Sequence, residues 1–162
     1  MARAVRNGRT LVAGLAFLTV GIIGLALLSA GRLVPSVTAA DPVARGEWIY
    51  RTGADVDGRP ILYSGGMMMM RMACADCHGL EGHGLRTPMF LSPDISYANL
   101  SDPAGMREPH GDRGPTYTDD LLQRAVISGI DADGERVAWP MPRWQLSDDS
   151  WRDLLAYLKT LR

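Results

Sequence analysis

Hydrophobic and polar positions follow three different patterns along this chain. From Leu11 to Gly31, "LVAGLAFLTVGIIGLALLSAG" carries no charge. A run of about 20 apolar residues is long enough to cross a hydrocarbon core as a helix. After residue 41 the apolar positions become short and periodic. "VARGEWIY", residues 43–50, predicts a short helix. "TYTDDLLQRAVISG", residues 116–129, predicts a second, with Leu121, Leu122, Ala125 and Val126 on one face. Thr118 is placed to cap it, Asp119 and Asp120 suit its first turn, and Gly129 suits its stop. "LSDDSWRDLLAYLKTLR" predicts the last helix. Ser147 caps it, Trp151, Leu154, Leu155, Leu158 and Leu161 form its buried stripe, and Lys159 and Arg162 lie where the helix dipole favours cations. Packed against residues 43–50, this helix is expected to close the domain.

Between these segments the helical period disappears. Residues 51–66, "RTGADVDGRPILYSGG", predict a loop or small hairpin turning at Asp57-Gly58, with a strand-prone "ILY". "GLEGHGLRTPMFLSPDISYANLSDPAG", residues 79–105, is rich in Gly and Pro. So long an irregular stretch in a packed domain usually wraps something. "DADGE", residues 131–135, resembles the start of a calcium loop but has Pro142 at the twelfth position, where a glutamate is required, and is read as a turn.

Charge divides the chain at the same place. Residues 1–40 hold four arginines and no acidic residue; residues 41–162 hold 13 Lys and Arg against 18 Asp and Glu, a net charge of −5. An acidic domain is a poor partner for nucleic acid. Arg3, Arg6 and Arg9 before the apolar run keep the N-terminus cytoplasmic and place the acidic domain on the outer side. A secretory signal cut near Thr38-Ala39-Ala40 is the competing reading. Its apolar region is normally shorter and ends closer to the cut, so a retained single-pass anchor over residues 1–31 is favoured. Residues 32–42, "RLVPSVTAADP", read as a linker, and residues 43–162 as one small domain.

The chemistry lies in "MMMMRMACADCHGLEGHG", residues 67–84. Cys74, Cys77 and His78 form C-x-x-C-H, the attachment signature of c-type haem. Two thiols at that spacing reach the two vinyl groups on one porphyrin edge, and the following histidine is held beneath the iron. A thioredoxin-like pair expects a preceding strand, which this stretch does not resemble. A structural zinc site needs more cysteines than the two present. An electron-carrying haem needs a second axial ligand. Met67–Met70 and Met72 lie too close to Cys74, and Met89 would have to swing over the haem edge. Met141, between Pro140 and Pro142 in "AWPMPRW", sits on a stiff loop ahead of the last helix and is the expected sulfur ligand. His110 is the rival ligand; His83 reads as a loop residue. The methionine run reads as core filling.

These residues resemble the class I c-type cytochromes over most of residues 43–162. Cys74, Cys77 and His78 match the haem motif. "GEWIY" resembles the first helix, with Gly46 and Tyr50 at the crossing with the last helix. "LLQRAVISGIDADGE" resembles the third helix and its exit. "MPRWQLSDDSWRDLLAYLKTLR" resembles the methionine loop and last helix, with Tyr157 at the aromatic position. The resemblance implies a mostly α domain wrapped round one covalent haem c. It also implies a proline carbonyl orienting His78, for which Pro88 is preferred over Pro93. Some twenty residues between Tyr50 and Cys74 are an insertion relative to the family, and a natural surface for docking to a larger complex. The expected function is single-electron transfer outside a bacterial cytoplasmic membrane, in the periplasm. Its redox partners would be membrane proteins, with the chain a subunit or tethered partner of a respiratory oxidoreductase. No second catalytic constellation makes the chain an enzyme by itself. The alternative is a copper-handling or gas-binding haem module: thioethers select Cu(I), and an open sixth position would admit a gas.

Overall fold

The computed structural model describes residues 41–66 and 72–162. The expected anchor over 1–31, the linker up to residue 40 and the run Met67–Met70 lie outside the described residues. Among the described residues no helix is long and apolar enough to cross a membrane.

Helix α1 spans Pro42–Thr52. The Asp41 carboxylate accepts from the Val43 N–H at 3.0 Å, and Pro42 occupies the first turn, where its missing N–H costs nothing. Gly53 ends the helix at φ 62°, a conformation that penalises a Cβ. Asp41 and Pro42, read from the sequence as the end of the linker, are the cap and the first residue of this helix.

Four more helices and two short strands follow: β1 (Tyr63–Ser64), α2 (Cys74–His78), α3 (Tyr97–Leu100), α4 (Asp119–Ser128), β2 (Arg143–Trp144) and α5 (Asp148–Leu158). The caps of the two longer helices are those the sequence predicts. Thr118 accepts from the Leu121 N–H at 3.3 Å, Gly129 ends α4 at φ 69°, and Ser147 accepts from the Ser150 N–H at 3.1 Å. "DADGE" is a turn: Asp131 N–H donates to the Glu135 carbonyl at 2.8 Å, and the Asp131 side chain accepts from the Glu135 N–H at 2.7 Å. Helix α3 was not foreseen. A single turn is too short to show a period, and only Leu100 of its four residues is buried.

Helices α1 and α5 cross at Gly46. A Cβ there would stand 1.9 Å from the Asp153 carbonyl oxygen and 2.8 Å from Tyr157 Cβ, so only hydrogen lets the backbones meet. Beside the crossing Tyr50 is fully buried. Its ring centre lies 5.2 Å from that of Tyr157, tilted by 53°, and its hydroxyl donates to the Gly79 carbonyl at 2.7 Å. Arg45 grips the Asp153 carboxylate at two points, 2.7 and 2.6 Å. The inserted residues leave this crossing intact.

Ile49, Leu122, Val126, Trp151, Leu154 and Leu158 belong to one buried core, each contributing about 1.5–3 kcal/mol on transfer grounds. Leu155, expected in the buried stripe, is only half-buried, and Tyr157 is buried in its place. Positions 154, 157, 158 and 161 share one helical face and 155 lies at its edge. Leu121 is half-buried for the same reason.

Between Gly53 and Gly66 the chain forms a small arch. Ala54 bridges Pro60, and the Asp55 N–H donates to the Arg59 carbonyl at 2.8 Å around the turn at Gly58. Beyond it β1 pairs antiparallel with β2, Tyr63 opposite Trp144 and Ser64 opposite Arg143. This small sheet was not predicted, because its two strands lie some eighty residues apart in sequence.

Candidate functional site

Helix α2 is little more than one turn. The Asp76 carboxylate accepts from the Ala73 N–H at 2.8 Å and so closes its start. Three-residue spacing on a helix puts Cys74 and Cys77 on one side, and no disulfide joins them. The chain leaving α2 is pinned at once. Gly84 N–H donates to the His78 carbonyl at 2.9 Å and Ile95 N–H to the Gly82 carbonyl at 2.7 Å, while the Ser92 hydroxyl donates to the Cys77 carbonyl. A Cβ on Gly84, at φ 79°, would meet the Ser92 carbonyl oxygen at 2.3 Å.

This folding back places the Pro93 carbonyl 3.1 Å from His78 Nδ1. The sequence preference for Pro88 is corrected. Leu85 pairs with Ser92 and Thr87 with Phe90, so Pro88 stands at the exposed tip of a short hairpin while Pro93 lies at its base. A carbonyl can only accept, so Nδ1 carries the proton and the Nε2 lone pair is left for another partner.

Cys74, Cys77 and His78 line a cavity of about 380 Å³ whose other walls include Ile95, Leu122 and Leu154. Burial pushes the Cys74 thiol up to about 12, with the neighbouring Cys77 and Asp76 acting in the same direction. Burial and Asp76 also raise Cys77. A redox-active dithiol needs a depressed thiol pKa, so upward shifts at both cysteines do not suit the thioredoxin-like reading. Burial lowers the pKa of His78 against the opposing pull of the Pro93 carbonyl. At neutral pH His78 is therefore a neutral imidazole with a free Nε2, the form that binds a metal.

Met141 lines the same cavity and is half-buried. Its N–H donates to the Ala138 carbonyl at 3.0 Å. Met72 and Met106 are buried and also line the cavity. Met106 carried no signal in sequence, being one apolar residue in a Gly- and Pro-rich loop. It is seated by a non-local exchange, its N–H donating to the Pro115 carbonyl at 3.2 Å and its carbonyl accepting from the Gly114 N–H at 2.9 Å. Met89 is 74% exposed and is not among the cavity residues. His110 is largely exposed but borders the cavity. His83 lies at the surface, 3.5 Å from Asp94.

Two neighbouring thiols, a neutral imidazole and a thioether facing one apolar cavity suit a porphyrin attached through two thioether bonds, with nitrogen and sulfur available to its iron. The family model for cytochrome c matches residues 64–162. This chain belongs to the cytochrome c family. The cofactor of this cytochrome is covalently bound haem c, and its activity is haem-based electron transfer, that of a carrier. The match begins at Ser64, within β1, so α1 and the arch up to Tyr63 lie outside it even though α1 makes the crossing with α5. No curated protein and no solved structure matches the chain.

Proposed function

We propose that this cytochrome is a class I, single-haem, membrane-anchored carrier. It works on the periplasmic side of a bacterial cytoplasmic membrane and exchanges single electrons with a respiratory oxidoreductase complex, as a subunit or a tethered partner. The observation that carries the site assignment is the meeting of Cys74, Cys77, His78 and Met141 on one apolar cavity. When bound, the haem supplies the one-electron chemistry.

The chain's own residues do the rest. Cys74 and Cys77 hold the group to α2. The Pro93 carbonyl keeps the proton on His78 Nδ1 and so leaves Nε2 as the nitrogen that would bind the iron. Met141 offers a soft thioether, which favours the reduced iron and raises the potential. The prolines on either side limit how far its backbone can move, and a ligand held alike in both oxidation states lowers the reorganisation on electron transfer. The apolar walls exclude water. The membrane part of the reading is supported by the apolar run Leu11–Gly31 and the arginines before it, which would confine the domain near its membrane partners and raise its effective concentration there.

The test combines extraction, spectra and fractionation. Acid–acetone treatment should leave the haem on the native chain. Met141→Ala should remove the weak near-infrared band of ferric haem with thioether ligation, lower the potential and admit carbon monoxide. Loss of the band in Met106→Ala with retention in Met141→Ala would move the ligand to Met106. Native-source protein should stay in the membrane fraction; a soluble chain beginning near Ala40 or Asp41 would replace the tethered carrier with a diffusing one.

A further inference from the structure

The inserted arch reaches the methionine loop, and we infer that residues 61–66 are a positioning clamp for Met141. This rests on the reading of Met141 as the sulfur ligand, and it adds a role for a segment that straddles the start of the family match at Ser64.

The clamp has a base, a strap and a tip. At the base, Ile61 N–H donates to the carbonyl of Gly53, the C-cap of α1, at 2.9 Å. The arch is thereby fixed to the helix that packs on α5. The strap is the pairing of β1 with β2, extended by the Gln145 N–H donating to the Leu62 carbonyl at 2.8 Å. Tyr63 packs on Trp144 with ring centres 5.2 Å apart, and Trp144 lines the cavity. At the tip, Gly66 adopts φ +75° and lies flush on the prolines that flank Met141. A Cβ there would meet Pro142 Cβ at 3.1 Å and the Pro140 carbonyl oxygen at 3.2 Å.

Arg143 joins the tip to α4. Its side chain runs between two glycines: an added Cβ would stand 2.9 Å from its Nη1 at Gly65 and 2.3 Å from its Nε at Gly129, the C-cap of α4. Its Nη1 also donates to the Met141 carbonyl at 3.4 Å. The backbone on both sides of Met141 is thus held from outside its own loop. Two prolines stiffen that loop but do not set where it lies. The pairing with β1 and the fit against Gly66 do.

A clamp that only added stability would behave like any other turn of the arch, and Gly58 supplies the control. It has φ +78°, yet nothing lies within 4 Å of an added Cβ. Gly58→Ala and Gly66→Ala therefore impose similar backbone strain, but only the second presses on the methionine loop. The holoproteins are compared by thermal unfolding, by the near-infrared band of the ferric protein, by reduction potential and by carbon monoxide binding to the ferrous protein. Both variants should unfold at lower temperature. Gly66→Ala should also weaken or lose the band, lower the potential and admit carbon monoxide, while Gly58→Ala keeps the native band, potential and inertness. Gly66→Asn, which tolerates positive φ better while keeping the Cβ contact, should repeat the spectral loss with less loss of stability. It also serves if Gly66→Ala does not mature. Native spectra and potential in the Gly66 variants would overturn the clamp. Met141→Ala separates the two readings: with its band lost and the Gly66 variants native, the clamp alone fails; with its band retained, the ligand reading fails and the clamp with it.

Discussion

The two sides of the cavity are built in opposite ways. The His78 side is made by its own neighbourhood. Residues 73–95 fold on themselves through the Gly84–His78, Ser92–Leu85 and Ile95–Gly82 backbone bonds, and the carbonyl that orients His78 comes from Pro93, fifteen residues on. The Met141 side is made from far away. Its loop is paired with β1, faced by Gly66 and tied through Arg143 to the end of α4. A locally built side comes with the motif, because most of its hydrogen bonds close within one short range of sequence. A side assembled from distant segments can be altered without touching the motif, by changing what presses on the loop. On the proposed function, covalent attachment and the histidine ligand would belong to one region, and the setting of the sulfur ligand to another.

Trp144→Ala should break the contrast most sharply. Trp144 is buried, packs on Tyr63 and lines the cavity. Its truncation should cost about 3–5 kcal/mol, measured by denaturant unfolding of the holoprotein. The near-infrared band should weaken with it, while the haem stays covalently attached. A destabilised variant with a native band would mean that the methionine loop holds its place without β2.

Ser92→Ala probes the other side with a smaller effect. The Ser92 hydroxyl accepts from the Leu85 N–H at 2.7 Å and donates to the Cys77 carbonyl. Its removal should cost about 0.5–1.5 kcal/mol. Because this network stands on the His78 side, band and carbon monoxide inertness should stay native. A lost band in Ser92→Ala would show that the two sides are coupled.

The smallest effect is expected at a tie belonging to neither side. Lys159, just past α5, meets Asp119, in the first turn of α4, at 2.6 Å, and Tyr97 donates to the same carboxylate at 2.8 Å. The Lys159 ammonium, ahead of the Tyr97 hydroxyl, holds Asp119 below the usual carboxylate range. A depressed carboxylate stabilises the fold above its unfolded pKa, and that contribution is lost as pH falls through the folded value. The pair is well exposed to solvent, so Asp119→Asn should cost only about 0.2–1 kcal/mol at neutral pH. The difference from the native protein should shrink as pH drops below the carboxylate range, with spectra unchanged throughout. A constant difference down to strongly acid pH would mean that the loss is not electrostatic.

The sequence by itself determined whatever local chemistry carries. Cys74, Cys77 and His78 are legible as an attachment motif because such a motif demands adjacent residues. Helices α4 and α5 announce themselves through capping residues and a periodic face, α1 only as a short apolar segment whose cap was read as linker, and Gly46 only through the family resemblance. Tertiary structure decided whatever depends on contacts between distant residues. Pro88 and Pro93 are equivalent in sequence, and the choice between them follows from how the hairpin at 85–92 turns. Met106 is one apolar residue in a loop until Gly114 and Pro115 seat it on the cavity. Tyr63–Ser64 is a two-residue strand without its own signal, and it exists because Arg143–Trp144 supplies the other half of its hydrogen bonds. Local propensity is a property of a few consecutive residues and can be read from them; a pairing across some eighty residues is fixed only when the core brings both segments together.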